Sequence, residues 1–183
     1  VLIIADVAGH GPSTAAFMVQ VRNILRTLVV EHTEPEEVLR RSNDVVTTLL
    51  ARQATFATCC VATFTPATGE LRWSSAGHPP PLVVRHDGDS TLLTTVPGPP
   101  LGVVRGARYP CRQTTLRRHD RLVLYTDGLV ETRSSPIDVD LQRLADGVQT
   151  IRHLPAQHAA EWLARTISAG TDDVALIVID ITA

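Results

Sequence analysis

Ala57-Thr58-Cys59-Cys60-Val61-Ala62-Thr63-Phe64 runs into the turn Pro66-Ala67-Thr68-Gly69 and out again as Glu70-Leu71-Arg72-Trp73-Ser74-Ser75. Two β-prone segments around a Pro/Gly cluster predict an antiparallel hairpin. Asp87-Gly88 predicts a second hairpin, between residues 82–85 and 91–94. Leu122-Val123-Leu124-Tyr125 is an unbroken apolar run, expected of a strand covered on both faces. Upstream of the first hairpin the period lengthens. Phe17, Val21, Ile24, Leu25 and Leu28 fall on one face of a helix over residues 13–31. Thr33-Glu34-Pro35-Glu36 predicts a capping box opening a second helix that runs to about residue 52. Its apolar stripe is Val38, Leu39, Val45, Val46, Leu49 and Leu50. Downstream, two shorter helices are expected near 141–148 and 156–167, then a terminal strand over 174–181. Hairpins dominate where a Rossmann-like chain would alternate strand with helix, so the fold class is α+β: antiparallel sheets with helices packed outside.

At 183 residues the chain suits one domain with a substantial core. Hydrophobic residues make up 44% and charged residues 20%, the profile of a globular protein. A net charge of −2 argues against a nucleic-acid partner or an acidic membrane surface. No apolar run approaches the ~20 residues of a membrane span and no signal peptide is visible; the odd, unpaired set of cysteines makes a reduced, cytoplasmic setting the expected one. Cys59, Cys60 and Cys111 form no metal-binding spacing, and the adjacent pair points to opposite strand faces, so reduced packing cysteines are expected. The opening Val1-Leu2-Ile3-Ile4 is strand-like and has no preceding methionine, which predicts a domain cut from a longer protein.

The chemistry is carried by carboxylates. Asp6 in Ala5-Asp6-Val7-Ala8-Gly9-His10-Gly11, Asp127 in Leu124-Tyr125-Thr126-Asp127-Gly128-Leu129, and Asp172-Asp173 before Val174 each stand where an apolar strand meets a small or polar turn. Strand ends hold side chains rigidly at a sheet edge, and glycines let backbone approach an ion. Such hard oxygen donors suit magnesium or manganese. Asp6, Asp127 and Asp172 are therefore expected to converge at one end of the sheets, in a metal-dependent hydrolase. Neither a Gly-x-Ser-x-Gly elbow nor a Walker-type Gly-x-x-x-x-Gly-Lys occurs, which weighs against serine hydrolases and P-loop nucleotidases.

Taken in order, the Asp6 segment, Phe56-Ala57-Thr58, Ser75-Ala76-Gly77-His78-Pro79-Pro80-Pro81, Gly98-Pro99-Pro100-Leu101-Gly102-Val103, Leu124 to Glu131 and Asp172-Asp173-Val174-Ala175-Leu176 resemble the metal-dependent PPM (type 2C) serine/threonine phosphatases, in their bacterial SpoIIE/RsbU-like branch. The resemblance implies an αββα sandwich, two antiparallel sheets packed together and flanked by helices. It implies two manganese or magnesium ions, with Asp6 bridging them, the Val7 carbonyl completing one site, and Asp127 and Asp172 as further ligands. Asp173 stands beside them as an alternate or supporting ligand. The implied reaction is hydrolysis of phosphoserine or phosphothreonine by water activated at the metals. The implied substrate is a phosphorylated regulatory protein of the anti-sigma-factor-antagonist type, with a sensory domain possible upstream in the parent protein.

The family pattern also has an acidic residue upstream of the Asp6 segment, in a Gly-Gly-Asp-like motif. Residues 1–183 are therefore expected to form one phosphatase domain truncated at its N-terminus, lacking a ligand and edge strands. A catalytically weak or dead pseudophosphatase serving as an interaction module is the alternative. A metal-dependent phosphodiesterase or nuclease would need a basic groove that the composition does not suggest. His10, between glycines, reads as a turn residue before a ligand, and His78, ahead of three prolines, as a loop-fixing residue. Arg117-Arg118-His119-Asp120 reads as a solvated turn, and Ser134-Ser135-Pro136 as loop.

Overall fold

The structure, a computed structural model, describes residues 1–49, 55–130, 136–167 and 173–182. Its contacts divide the chain into two compact units, Val1–His78 with Thr95–Thr115, and Pro79–Thr94 with Leu116–Ala183.

The first unit carries a four-stranded antiparallel sheet in the order β1-β2-β3-β6, from Leu2–Val7, Ala57–Thr65, Glu70–Ala76 and Cys111–Thr115. The quoted hairpin forms as read, with Thr65 opposite Glu70 and the amide of Gly69 donating to the Thr65 carbonyl at 2.9 Å. Helices α1 (Pro12–Glu31) and α2 (Pro35–Leu49) cover one face. Their Phe17, Val21, Leu25, Val38, Leu39 and Val46 pack with Val7, Ala57, Cys59 and Val61 of β1 and β2. Each fully buried aliphatic or aromatic side chain there contributes about 1.5–3 kcal/mol relative to exposure. Cys59 and Cys60 are both fully buried and unpaired by disulfide, so β2 is covered on both faces.

Two sequence expectations are corrected in this unit. The predicted capping box does not form. The amides of Glu37 and Val38 both donate to the Glu34 carbonyl, which makes Glu34 the cap and Pro35 the first helical residue, one position later than read. Glu36 instead accepts from Arg72 Nη2 of β3 at 3.0 Å, so a tertiary partner outcompetes the local one. Strand β6 was not foreseen: Arg112, Gln113 and Thr115 are exposed, and an outer strand with one neighbour shows little apolar signal. The end of the second predicted helix, residues 50–52, lies outside the described residues.

The second unit carries the sheet β5-β4-β7-β8, from Ser90–Leu92, Leu82–Val84, Arg121–Tyr125 and Leu176–Asp180. β4 and β5 are the second predicted hairpin, with Val84 opposite Ser90 and Gly88 at φ +104 in the turn. β7 lies between β4 and β8 and is buried at all five positions, as its unbroken apolar run implied. Helices α3 (Ile137–Thr150) and α4 (Ala156–Thr166) supply Leu144, Val148, Ala159 and Leu163 to a core with Leu82, Val84, Val123 and Tyr125. α3 starts four residues before the predicted Leu141. Asp120 also departs from expectation. It is 1% exposed and accepts from Arg85 Nη1 at 2.7 Å, the Arg117 amide at 2.8 Å and the His86 amide at 3.1 Å. The basic turn is organised around a buried carboxylate. No helix among the described residues is long and apolar enough to cross a membrane.

Candidate active site

Asp6 and Val7 end β1. Strand alternation turns Val7 into the helix-facing core, at 7% exposure, and Asp6 to the other face, where it is half-buried. The Val7 amide donates to Asp6 Oδ1 at 2.8 Å, which fixes the carboxylate against its own backbone. Past the strand, the Ala8 amide donates to the Phe56 carbonyl at 3.1 Å and Thr55 Oγ1 donates to the Ala8 carbonyl at 2.9 Å. Gly9 and Gly11 then take φ +101, a conformation open to glycine, and turn the chain into α1 with Pro12 opening the helix. A hollow of about 700 Å³ lies at this junction, lined by Gly9, His10, Ser13, Thr14 and Thr55 among others. His10 is exposed on its rim.

Asp127 follows β7 and opens a short 3₁₀ turn, Asp127–Leu129. It is half-buried, and its Oδ1 accepts from the Gly128 amide at 2.9 Å, the same clasp that holds Asp6. Thr126 sets the turn. Its amide donates to the Ala175 carbonyl at 3.0 Å, and its Oγ1 accepts from the Ala175 amide at 2.9 Å. Thr126 is 3% exposed, and its hydroxyl also lies 3.4 Å from the Asp173 carbonyl. Within this unit the structure thus brings Asp127 and the exposed Asp173 to the same end of β7 and β8. Asp172 lies outside the described residues, as does Glu131 of the Asp127 segment.

Each unit's donors suit a hard divalent cation by their chemistry: Asp6 and the Val7 carbonyl in the first, Asp127 and Asp173 in the second. Among the described residues no group of three His, Cys, Asp or Glu side chains forms a cage by itself. The cysteines offer no rival nucleophile. Burial pushes the Cys60 thiol up to about 12 and Cys59 well above its ordinary value, and burial with a Glu36 hydrogen bond pushes Cys111 up to about 11. All three thiols are protonated at neutral pH, and the thiolate is the reactive form.

His78 is a feature that sequence reasoning placed only in part. It is 5% exposed, its Nδ1 lies 2.8 Å from Thr58 Oγ1, and Ser75 Oγ accepts from its amide and donates to its carbonyl, each at 3.0 Å. It does fix its loop, as expected; its bond to β2 had no sequence signal. A second hollow, about 710 Å³, is lined by Arg85, His86, His119, Arg121, Arg152 and His153 among others. It lies at the opposite end of β7 from Asp127 and contains none of the candidate ligands.

The family model of Stage II sporulation protein E (SpoIIE) matches residues 1–182. Phosphoserine phosphatase RsbP of Bacillus subtilis is 26% identical over 143 residues, covering 76% of this chain. The chain spans about a third of that relative's length, 35%. Among solved structures, the RsbU and RsbW domains of Rv1364c from Mycobacterium tuberculosis align with a TM-score of 0.84 at 29% identity, over 97% of this chain and 50% of that one. The catalytic domain of serine threonine protein phosphatase PstP, in complex with 2 manganese ions, aligns with a TM-score of 0.70 at 17% identity, over 99% of this chain and 87% of that one. These likenesses show an α+β fold of two antiparallel sheets with flanking helices.

Proposed function

The chain belongs to the SpoIIE family, and on that premise we propose that it is a PPM-type protein phosphatase that hydrolyses phosphoserine or phosphothreonine on a regulatory protein. The observation that carries the reading is the shared construction of Asp6 and Asp127. Each carboxylate stands at a strand end, half-buried, with one oxygen clasped by the next amide. Side chains held this way keep their orientation without reorganising when charge arrives, which catalysis by positioning requires.

Asp6, with the Val7 carbonyl, and Asp127, with Asp172 and Asp173, would hold magnesium or manganese; PstP was solved with manganese. Bound there, the metal would neutralise phosphoryl charge and lower the pKa of an attacking water. The chain's own residues do the rest. The Gly9–Gly11 turn opens a hollow just past the end of β1, and Ser13 and Thr14 line it with hydroxyls able to donate to phosphoryl oxygen. With every thiol protonated, a water attack is favoured over a covalent cysteine intermediate. Residues 1–183 are read as one phosphatase domain, and the family model matches 1–182 of them. The relative RsbP is a phosphoserine phosphatase, and the Mycobacterium tuberculosis protein carries an RsbW domain beside its RsbU domain, which favours an anti-sigma-factor-antagonist type of phosphoprotein as substrate.

The test is release of phosphate from a phosphoserine peptide by the intact protein with manganese, with and without chelator. Hydrolysis that needs manganese supports the reading. A protein that binds phosphoprotein but releases no phosphate under any divalent cation would be an interaction module instead.

A further inference from the structure

Among the described residues the strand that carries Asp6 has one strand neighbour, β2. What β2 places opposite Asp6 therefore matters. The register sets Thr58 directly across from Asp6 and Ala57 across from Val7. Directly opposed residues of an antiparallel pair project to the same face with their Cβ atoms about 4.5–5.5 Å apart. Val7, Ala57 and Cys59 belong to the helix-facing core, so Asp6 and Thr58 share the other face.

Thr58 is not left to rotate. Its Oγ1 is 2.8 Å from Nδ1 of His78, a ring buried to 5% exposure. A β-branched side chain already has few χ1 states, and this bond selects one. His78 is in turn held by a turn with little room to relax. Ser75 Oγ bonds both its amide and its carbonyl, at 3.0 Å each. Gly77 adopts φ +68, and a Cβ there would sit 2.8 Å from Pro100 Cγ. Gly77 is also bridged to Cys59, the residue after Thr58. The turn, the imidazole and the threonine thus form one supported chain that ends beside the candidate ligand.

We propose that His78 is a positioning residue for Asp6, acting through Thr58: the imidazole fixes the threonine side chain, and the threonine fixes the end of β1 and the carboxylate it carries. This rests on the reading of Asp6 as a metal ligand. Outer partners that orient a ligand are worth about 10–100-fold in metal affinity.

The experiment is manganese titration followed by the electron paramagnetic resonance of free Mn²⁺, on the intact protein and its variants. Thr58→Val, which keeps the shape and removes the hydroxyl, should raise the manganese Kd roughly tenfold. Thr58→Ser restores the hydroxyl and should rescue affinity to within about twofold. His78→Gln should match Thr58→Val, and the double variant should be no worse than the poorer single one, since both interrupt one chain. Thr58→Val is nearly isosteric, so it keeps the test open even if His78→Gln fails to fold. Wild-type affinity in Thr58→Val beside lost affinity in Asp6→Asn overturns this inference and leaves the functional reading standing. Equal losses in Thr58→Val and Thr58→Ser overturn it too, because the hydroxyl is then not the link. Unchanged affinity in Asp6→Asn overturns both.

Discussion

Strands β1 and β7 each lead to an aspartate whose Oδ1 accepts the next residue's amide, at 2.8 Å for Asp6 and 2.9 Å for Asp127, yet the two strands are held by different means. β7 lies between two neighbours and is buried at every position, with Arg121 at its start bonded to Asp180 of β8 at 2.6 Å. Asp127 inherits its place from that burial and from the Thr126–Ala175 pair. β1 has one strand neighbour among the described residues and buries only Ile4 and Val7, and its end is tied by polar groups on residues 55 and 56. Asp127 is thus set by a fully buried strand together with the Thr126–Ala175 hydrogen bonds, and Asp6 by the hydrogen bonds at the end of a more exposed strand. Substitutions inside β7 should therefore act through stability, and substitutions around β1 through function.

The largest effect tests what the strands have in common. Asp127→Asn keeps shape and removes a ligand charge, and should lower manganese-dependent hydrolysis of a phosphoserine peptide by roughly 10³-fold, several kcal/mol of transition-state stabilisation. Initial-rate assays check it, and a change under tenfold would remove Asp127 from the machinery. The next effect separates the strands. Leu124→Ala in β7, at 1% exposure, should cost about 2–5 kcal/mol by urea denaturation. Ile4→Ala in β1, at 5% exposure, should cost roughly half as much, because β1 is the less buried strand and can relax around the gap. Equal losses would erase the proposed difference.

Two smaller predictions probe the polar supports. Burial opposes ionisation of Asp120, but the Arg117 amide, Arg85 and the His86 amide hold its carboxyl below the usual 3.8. Its stabilisation is complete above that value and is lost as pH falls through the depressed folded value. Asp120→Asn should thus destabilise by about 1–3 kcal/mol at neutral pH, shrinking in strong acid. A gap between the unfolding curves that does not close on acidification would contradict this. Glu37 on α2 is pulled down to about 2, first by the Arg40 hydrogen bond and then by Arg41. The group lies on the surface, so Glu37→Gln should change stability by less than about 1 kcal/mol. Thermal melts should barely distinguish it from wild type, and a larger loss would mean that α2 depends on this surface cluster.

Much of this was legible in the sequence where one residue's signal is local. The hairpin turns at Pro66–Gly69 and Asp87-Gly88, the buried run of β7 and the strand-end settings of Asp6 and Asp127 all follow from turn chemistry and periodicity. What escaped is tertiary. Glu36 abandons its capping box for Arg72 on β3, and Asp120 in a basic turn becomes a buried acceptor of three hydrogen bonds. β6 carries too few apolar residues to announce itself. The His78–Thr58 bond joins residues twenty apart through a register that no local pattern encodes.

The central claim is that Asp6, at the end of β1, and Asp127, in the turn after β7, both serve divalent-metal chemistry. Calorimetric titration of manganese into the intact protein, Asp6→Asn and Asp127→Asn tests it most directly. The account predicts that each variant loses high-affinity manganese binding and peptide hydrolysis together, while unfolding in chelator at the wild-type midpoint. Wild-type manganese affinity and turnover in either variant would contradict it.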